Sequence, residues 1–354
     1  MKNLHIFLLS LLFIILMGCQ RVAETAVSPT PTPTATPIPE YATIPGAYLG
    51  RFHGASGSSV KLEEEIGKGI AIQLNYIDWN TGFNPGFYRS ANAVNRIGYT
   101  TWEYQQGPAT DLQAIIDGEH DEYIQTWAEG IAGMDLPMFL RWGHEMNGDW
   151  YRWSGSQNGG GQLDGFGDPI VPDGPERFVA AYRHIYDIFQ AAGAENVLWV
   201  WCPNAPFAVM ETSYGSTLGG WNSAKNYYPG DDYVDWICFD GYNFGTSAFG
   251  QQFNSQWLTF DDIYADSYAQ LQAINPSKPI MIGEYASTEE GGDKAAWILD
   301  AYDKIQQDYP QIRAVVWFHI AKETDWRINS SPESLDAFAT AVSDTYWLDE
   351  WPDE

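Results

Sequence analysis

The chain is short of positive charge: 18 Lys and Arg stand against 46 Asp and Glu, a formal charge of −28 over 354 residues. Nucleic acids and anionic lipid headgroups are held by clustered Lys and Arg, so neither is an expected partner; a neutral ligand is. Cysteine is scarce as well, with three in all. Cys202 and Cys238 lack the close spacing of a metal-binding knuckle. Two buried free thiols are expected there, with a single disulfide as the alternative in an oxidising compartment. No GxGxxG opens a helix after a strand candidate, and Gly159-Gly160-Gly161 has no Lys-Ser/Thr behind it, which excludes a phosphate cradle. No internal repeat is visible beyond an alternation of strand and helix patterns.

What is present begins with an export pattern. Lys2 precedes the apolar stretch Leu4 to Leu16, and Leu16-Met17-Gly18-Cys19 follows. The stretch is shorter than the roughly 20 residues that span a bilayer. It resembles a bacterial lipoprotein signal, which implies cleavage after residue 18 and acylation of Cys19. Residues 19–40 are rich in Ser, Thr and Pro, as in Ser28-Pro29-Thr30-Pro31-Thr32-Pro33-Thr34, and suit an extended spacer. Residues 41–354 are then one globular domain. A monomer on the outer face of a bacterial envelope, or secreted from it, is expected, with membrane contact only through the anchor.

Within that domain eight short apolar runs alternate with helical patterns. They are Ala47–Phe52, Ile70–Asn75, Gly98–Trp102, Pro137–Arg141, Val197–Trp201, Val234–Phe239, Pro279–Gly283 and Ala314–Trp317. Continuous apolar runs of this length suit strands buried on both faces. Apolar residues three and four apart mark helices over Arg177–Ala192 and Asp293–Asp308, and Ser331-Pro332-Glu333 can start a last one. Eight strand–helix units point to a (β/α)₈ TIM barrel, whose chemistry lies at the carboxyl ends of the strands. Those ends carry Glu103, then His144, Glu145 and Asn147, then Asp240, Tyr242 and Asn243, then Glu284, and finally Trp317 and His319.

Two carboxyl groups across a barrel mouth can break a glycosidic bond: one protonates the leaving oxygen, the other meets the developing positive charge. The 16 Trp and 21 Tyr fit the same substrate, because flat rings stack on the apolar faces of sugars. Arg141-Trp142-Gly143-His144-Glu145-Met146-Asn147-Gly148-Asp149-Trp150-Tyr151, with Gly283-Glu284-Tyr285-Ala286-Ser287, resembles glycoside hydrolase family 26. The resemblance runs from about Tyr41 to the last helix and implies a retaining (β/α)₈ glycosidase with acids on strands four and seven. It makes Glu145 the acid/base and Glu284 the nucleophile, gives a strand-six Tyr, here Tyr242, a supporting role, and makes Trp150 and Trp317 sugar platforms.

The residues themselves allow the same division of labour. An apolar wall such as Trp142 or Trp150 would raise the pKa of an acid, and Arg141 and Tyr242 can donate to a carboxylate that must stay charged. His144-Glu145 lacks a second His four residues on, so no metal is expected, nor any cofactor; His144 instead orients the sugar or the nucleophile. Asn243 and Glu103 are candidates for sugar hydroxyls.

Within the family, mannanases often show Trp-His where this chain has Trp102-Glu103, and Asp240-Gly241-Tyr242-Asn243 and Lys322-Glu323-Thr324-Asp325-Trp326-Arg327-Ile328-Asn329 look like mixed-linkage β-1,3-1,4-glucanases (lichenases). An endo-β-1,4-mannanase is the alternative. A non-catalytic polysaccharide-binding lipoprotein is the alternative of another class.

Overall fold

The computed structural model describes residues 44–54, 59–103, 112–206, 209 and 220–352. The signal pattern, Cys19 and the Ser/Thr/Pro spacer lie outside the described residues.

Eight parallel strands form a closed ring. They are β1 (Ala47–Phe52), β2 (Ile72–Asp78), β3 (Ile97–Glu103), β4 (Met138–Trp142), β5 (Val197–Trp201), β6 (Trp236–Asn243), β7 (Ile280–Ser287) and β8 (Ile312–Phe318). Each strand pairs with the next, and β1 pairs with both β8 and β2, which closes the barrel. The expected (β/α)₈ architecture is therefore the observed one. β6 and β7 run further than their apolar cores suggest, so Asp240, Tyr242, Asn243 and Glu284 stand inside strands rather than in the loops after them.

Helices α1 (Ser59–Ile66), α2 (Gly86–Asn92), α3 (Leu112–Ile116), α4 (Asp121–Ala132), α5 (Asp173–Ala191), α6 (Phe260–Ile274), α7 (Lys294–Asp308) and α8 (Pro332–Ala341) are the described helices around the ring. Their starts follow from side chains that satisfy free backbone N–H groups. Thr259 and Asp262 form a capping box on α6, Asp293 accepts from the Ala296 N–H on α7, and Ser331 accepts from the Ser334 N–H on α8.

Strand alternation sends side chains either into the barrel or out under the helices. Tyr48, Leu74, Tyr99, Phe139, Val200, Trp236, Met281 and Val316 fill the interior, while Trp102, Leu140, Trp199, Phe239 and Trp317 pack in the outer layer. The strand register sets Val200 beside Trp236, so two residues further Cys202 stands level with Cys238. They form a disulfide. The free-thiol expectation is thus corrected: 36 residues separate the two in sequence, but both face inward on neighbouring strands.

A two-residue strand, β9 (Trp347–Leu348), pairs with the start of β1 and carries the tail beneath the barrel. There Trp351 closes the floor, its ring 4.7 Å from Tyr48 and 5.2 Å from Phe139.

Candidate active site

The upper end of the barrel collects the polar residues. Arg141 is the last inward-facing residue of β4 and is fully buried. Its Nη1 donates to both oxygens of Asp240, at 2.8 and 2.7 Å, and its Nη2 donates to Glu284 Oε1. Nε and Nη2 also reach Thr101 Oγ1, at 3.0 and 2.6 Å, and the guanidinium lies 5.3 Å from the centre of the Tyr99 ring. Burial opposes the charge, yet Asp240, Tyr99 and Glu284 hold the Arg141 pKa well above its ordinary value. Arg141 is therefore a fixed cation beneath the mouth.

Glu284 faces inward because β7 is irregular at this point. Met281 points into the barrel and Tyr285 points out, a parity that one extra residue must break. The β6–β7 register passes from Phe239 opposite Ile282 to Asp240 opposite Glu284, which leaves Gly283 as the extra residue. Bulges re-aim side chains in this way. A Cβ at Gly283 would come within 2.5 Å of Cys238 Sγ, 2.8 Å of Asp240 Oδ1 and 2.9 Å of Arg141 Nη1, so glycine alone fits. Tyr242 stands on the neighbouring strand, and its hydroxyl donates to Glu284 Oε2 at 2.5 Å. Both oxygens of Glu284 thus have donors.

Glu145 is placed by a turn rather than by a strand. After β4 the backbone enters the left-handed region at Gly143 (φ 64°) and again at Glu145 itself (φ 53°). For a non-glycine residue that conformation is sparsely populated and is held by its surroundings. The Glu145 N–H donates to the Cys202 carbonyl at 2.7 Å, and the Glu145 carbonyl accepts from Gly148 N–H at 2.9 Å. The side chain is buried and accepts at Oε2 from Trp150 Nε1, 2.7 Å away. Burial, then the negative charge of Glu284, pushes the Glu145 pKa up to about 8.

The direction follows from counting charges. Asp240, Glu284 and Glu145 are three buried carboxyl groups around one guanidinium, and three negative charges against one positive are unfavourable away from water. Burial and Glu284 push Asp240 upward, with Arg141 pulling the other way. Among the described residues the one side-chain donor to Glu145 is a neutral indole, so Glu145 is the group that keeps a proton near neutral pH.

His144 is buried, with Nε2 3.0 Å from the Tyr151 hydroxyl and 4.0 Å from Glu103 Oε1. Burial, with the charges of Arg141 and Lys322, drives its pKa well below 6.5, so the imidazole is neutral. Glu103 ends β3 at the rim beside it. Trp150 is half exposed next to the acid. Trp142 is not the apolar wall expected of it: its ring stacks 5.5 Å from Phe178 of α5, outside the barrel.

Two expected sugar contacts are corrected. Trp317 is fully buried in the outer layer, where its Nε1 donates to the Trp326 carbonyl and its ring meets Tyr285, Trp297 and Phe338. Strand parity requires this, since Val316 beside it faces in. Asn243 is also fully buried; its amide donates to Ser287 Oγ, and its Oδ1 accepts from the N–H groups of Gly245 and Leu258. It ties a loop together and has no surface for a sugar.

The structure adds residues absent from the expected set. Asp240 anchors Arg141, as above. Tyr76 at the end of β2 has a buried hydroxyl whose pKa is raised well above 10, by burial and then by the charge of Glu284. Lys322, after β8, is a second cation whose charge lowers the Glu145 pKa. Inward parity at strand ends was the signal available for Asp240 and Tyr76.

A parallel eight-stranded barrel with two inequivalent buried glutamates at its mouth defines a (β/α)₈ glycoside hydrolase. The chain belongs to glycosyl hydrolase family 26, whose sequence model matches residues 54–303. It is 40% identical over 302 residues to Endoglucanase H of Acetivibrio thermocellus, covering 84% of this chain and 30% of that protein. It is 26% identical over 235 residues to a mannan endo-1,4-beta-mannosidase of Bacillus subtilis, 64% of this chain and 51% of that one. The chain thus spans less than a third of the length of the first of these relatives and about half of the second. A family 26 beta-mannanase from Bacteroides ovatus shares the fold, with a TM-score of 0.60 at 17% identity over 87% of this chain and 91% of that one. The chain is accordingly a glycosyl hydrolase of this family.

Proposed function

We propose that the chain is a retaining endo-β-glycanase whose preferred substrate is mixed-linkage β-1,3-1,4-glucan, with Glu145 as acid/base and Glu284 as nucleophile. The observation that carries this is the contrast between the two carboxyl groups. Glu145 is pushed up to about 8 with one neutral donor, while Glu284 accepts from a cation and a phenol.

The chemistry follows from that contrast. Glu145 gives its proton to the glycosidic oxygen as the bond from that oxygen to the anomeric carbon breaks. Glu284 attacks the same carbon from the opposite face and forms an ester. Glu145, now ionised, takes a proton from water, and the resulting oxygen nucleophile displaces Glu284. Two inversions return the β-anomer. At the second step Glu145 regains its proton and Glu284 leaves as a carboxylate that Arg141 and Tyr242 hold, so water is the one co-reactant consumed.

Support for glucan comes from the 40% identity to a protein named an endoglucanase, from the lichenase-like stretches at Asp240–Asn243 and Lys322–Asn329, and from Trp102-Glu103 in place of the Trp-His common in the family's mannanases. The similarity to a mannan endo-1,4-beta-mannosidase supports the second reading, an endo-β-1,4-mannanase. Glucose and mannose differ at one hydroxyl, so the choice rests on few contacts. Release of reducing ends from lichenan, β-1,4-mannan and β-1,3-xylan, measured side by side, tests it. The highest rate is expected on lichenan; a mannan rate that exceeds it would establish the second reading.

Export and anchoring through Cys19 belong to the same proposal. The Cys202–Cys238 disulfide supports an oxidising compartment. Incorporation of labelled palmitate that is lost in Cys19→Ser is the expected result.

A further inference from the structure

Of the aromatic side chains among the described residues, three are exposed: Trp150, Phe249 and Phe253, at 46, 36 and 52% of full exposure. Every other described Trp, Tyr and Phe is buried or half-buried. All three lie on loops that follow strands of the barrel. Trp150 lies on the loop after β4 and donates to Glu145, while Phe249 and Phe253 lie on the loop after β6, the strand that carries Tyr242. A contiguous exposed apolar surface next to a site is a binding surface more often than an accident of packing.

Ring contacts make the surface continuous with the site. Tyr242, bonded to Glu284, lies 5.7 Å from Phe244; Phe244 lies 5.6 Å from Phe249 and 5.2 Å from Phe253; those two are 5.8 Å apart. Trp326 backs the row, 5.0 Å from Phe244 and 5.1 Å from Tyr242.

The loop is also held in place. Asn243 Oδ1 accepts from Gly245 N–H at 3.2 Å and Leu258 N–H at 3.0 Å, which pins both ends of the segment between them. Inside it, buried Ser247 accepts at Oγ from Gly250 N–H at 3.1 Å, and Asn254 (φ 60°) ends the short 3₁₀ turn that presents Phe253. Rings fixed in advance bind with less loss of conformational freedom than rings that must be ordered.

We propose that Phe249 and Phe253 form a distal sugar-binding platform, a subsite that stacks a glucosyl residue of the polysaccharide remote from the bond being cut. The occupant is a neutral glycan. The chain's charge of −28 disfavours a polyanion, and a Phe face can hold the apolar face of a pyranose without any counter-charge. The platform extends the glycan from Trp150 at the acid across the mouth to the β6 loop. It rests on the glucanase reading above, because it takes the next units of that same chain.

The test compares substrates of different length in Phe249→Ala/Phe253→Ala and in wild type. On polymeric lichenan the variant is expected to lose about tenfold more kcat/KM than on the shortest oligosaccharide that wild type cleaves, with the change mainly in KM. Phe253→Trp, which keeps a stacking face, is expected to show no such length-dependent loss. Equal losses on long and short substrates, or none on either, would overturn the platform while leaving the glucanase reading intact. A change of oligomeric state in the variant without a length-dependent loss would assign the patch to a second copy of the chain and likewise overturn it. If wild type cleaves no glucan of any length, the function proposal fails first, and the two failures are distinguishable. The substitutions are at exposed positions, and circular dichroism melting checks that the fold survives.

Discussion

Trp150 Nε1 donates to Glu145 Oε2 at 2.7 Å, and among the described residues no other side chain hydrogen-bonds that carboxyl. The donor is neutral and half exposed, so it orients the acid without stabilising its charge as a cation would. A few residues away in space, Glu284 has Arg141 and Tyr242. The same residue type is thus given opposite surroundings within one mouth.

With Glu145 as the proposed acid, its titration sets the alkaline side of activity. With a pKa of about 8, kcat is expected to hold through neutral pH and fall as the group loses its proton. Rates of lichenan hydrolysis against pH should show that limb, and Glu145→Gln should remove most activity along with the limb. Stability carries the same signature. The folded pKa lies above the ordinary 4.5, so between about 4.5 and 8 the unfolded chain has released a proton that the folded chain keeps. Stability from this group therefore falls as pH rises through that window. Glu145→Gln cannot ionise and is expected to melt above wild type, by a margin that widens from about pH 5 to about pH 8.

Tyr242→Phe removes one hydrogen bond and little volume. The 2.5 Å donor to Glu284 Oε2 is lost, while Arg141 still holds Oε1. A fall in kcat of roughly 100- to 1,000-fold with a small change in KM is expected, the size seen for losing one donor to a reacting oxygen. A rise in KM at constant kcat would instead make Tyr242 a plain sugar contact.

Gly283→Ala tests the bulge. The added methyl would sit 2.5 Å from Cys238 Sγ and 2.9 Å from Arg141 Nη1, neither of which is a loose end. Overpacking of this kind costs about 1–3 kcal/mol, and here it also displaces the cation under Glu284. Loss of activity beyond the loss of stability is expected, read as kcat per folded molecule.

At the opposite end of the barrel, Trp351→Ala opens the floor between Tyr48 and Phe139. A loss of about 3–5 kcal/mol in chemical denaturation is expected, as for other large-to-small core changes. The pH profile of activity should keep its shape, because no active-site group is touched.

The barrel was legible because its strands are short apolar runs buried on both faces, and their continuity does not depend on distant partners. Glu145, Glu284, Arg141 and Tyr242 were legible as polar residues at the ends of such runs. Four other features were not, each for a geometric reason. The family resemblance makes Trp317 a platform, yet Val316 and Trp317 cannot both face the mouth; parity along β8 decides it, and parity becomes secure only once the register is known. Asn243 looked like a ligand because an amide near a mouth can bind a hydroxyl, but its acceptor oxygen is occupied by two backbone N–H groups 13 residues apart in the chain, at 245 and 258. Cys202 and Cys238 lie level only through the β5–β6 pairing. The bulge at Gly283 was hidden for the same cause: an extra residue in one strand is visible only against its neighbour.

The central claim is that Glu284 is the nucleophile and Glu145 its proton donor. The most direct measurement is mass spectrometry of the enzyme after reaction with a 2-deoxy-2-fluoro β-glucan oligosaccharide bearing a good leaving group, which slows release of the glycosyl ester. A single covalent sugar adduct on the peptide carrying Glu284 is predicted. An adduct on Glu145 or Asp240, or an α-anomer as the first product with no adduct formed, would contradict the account.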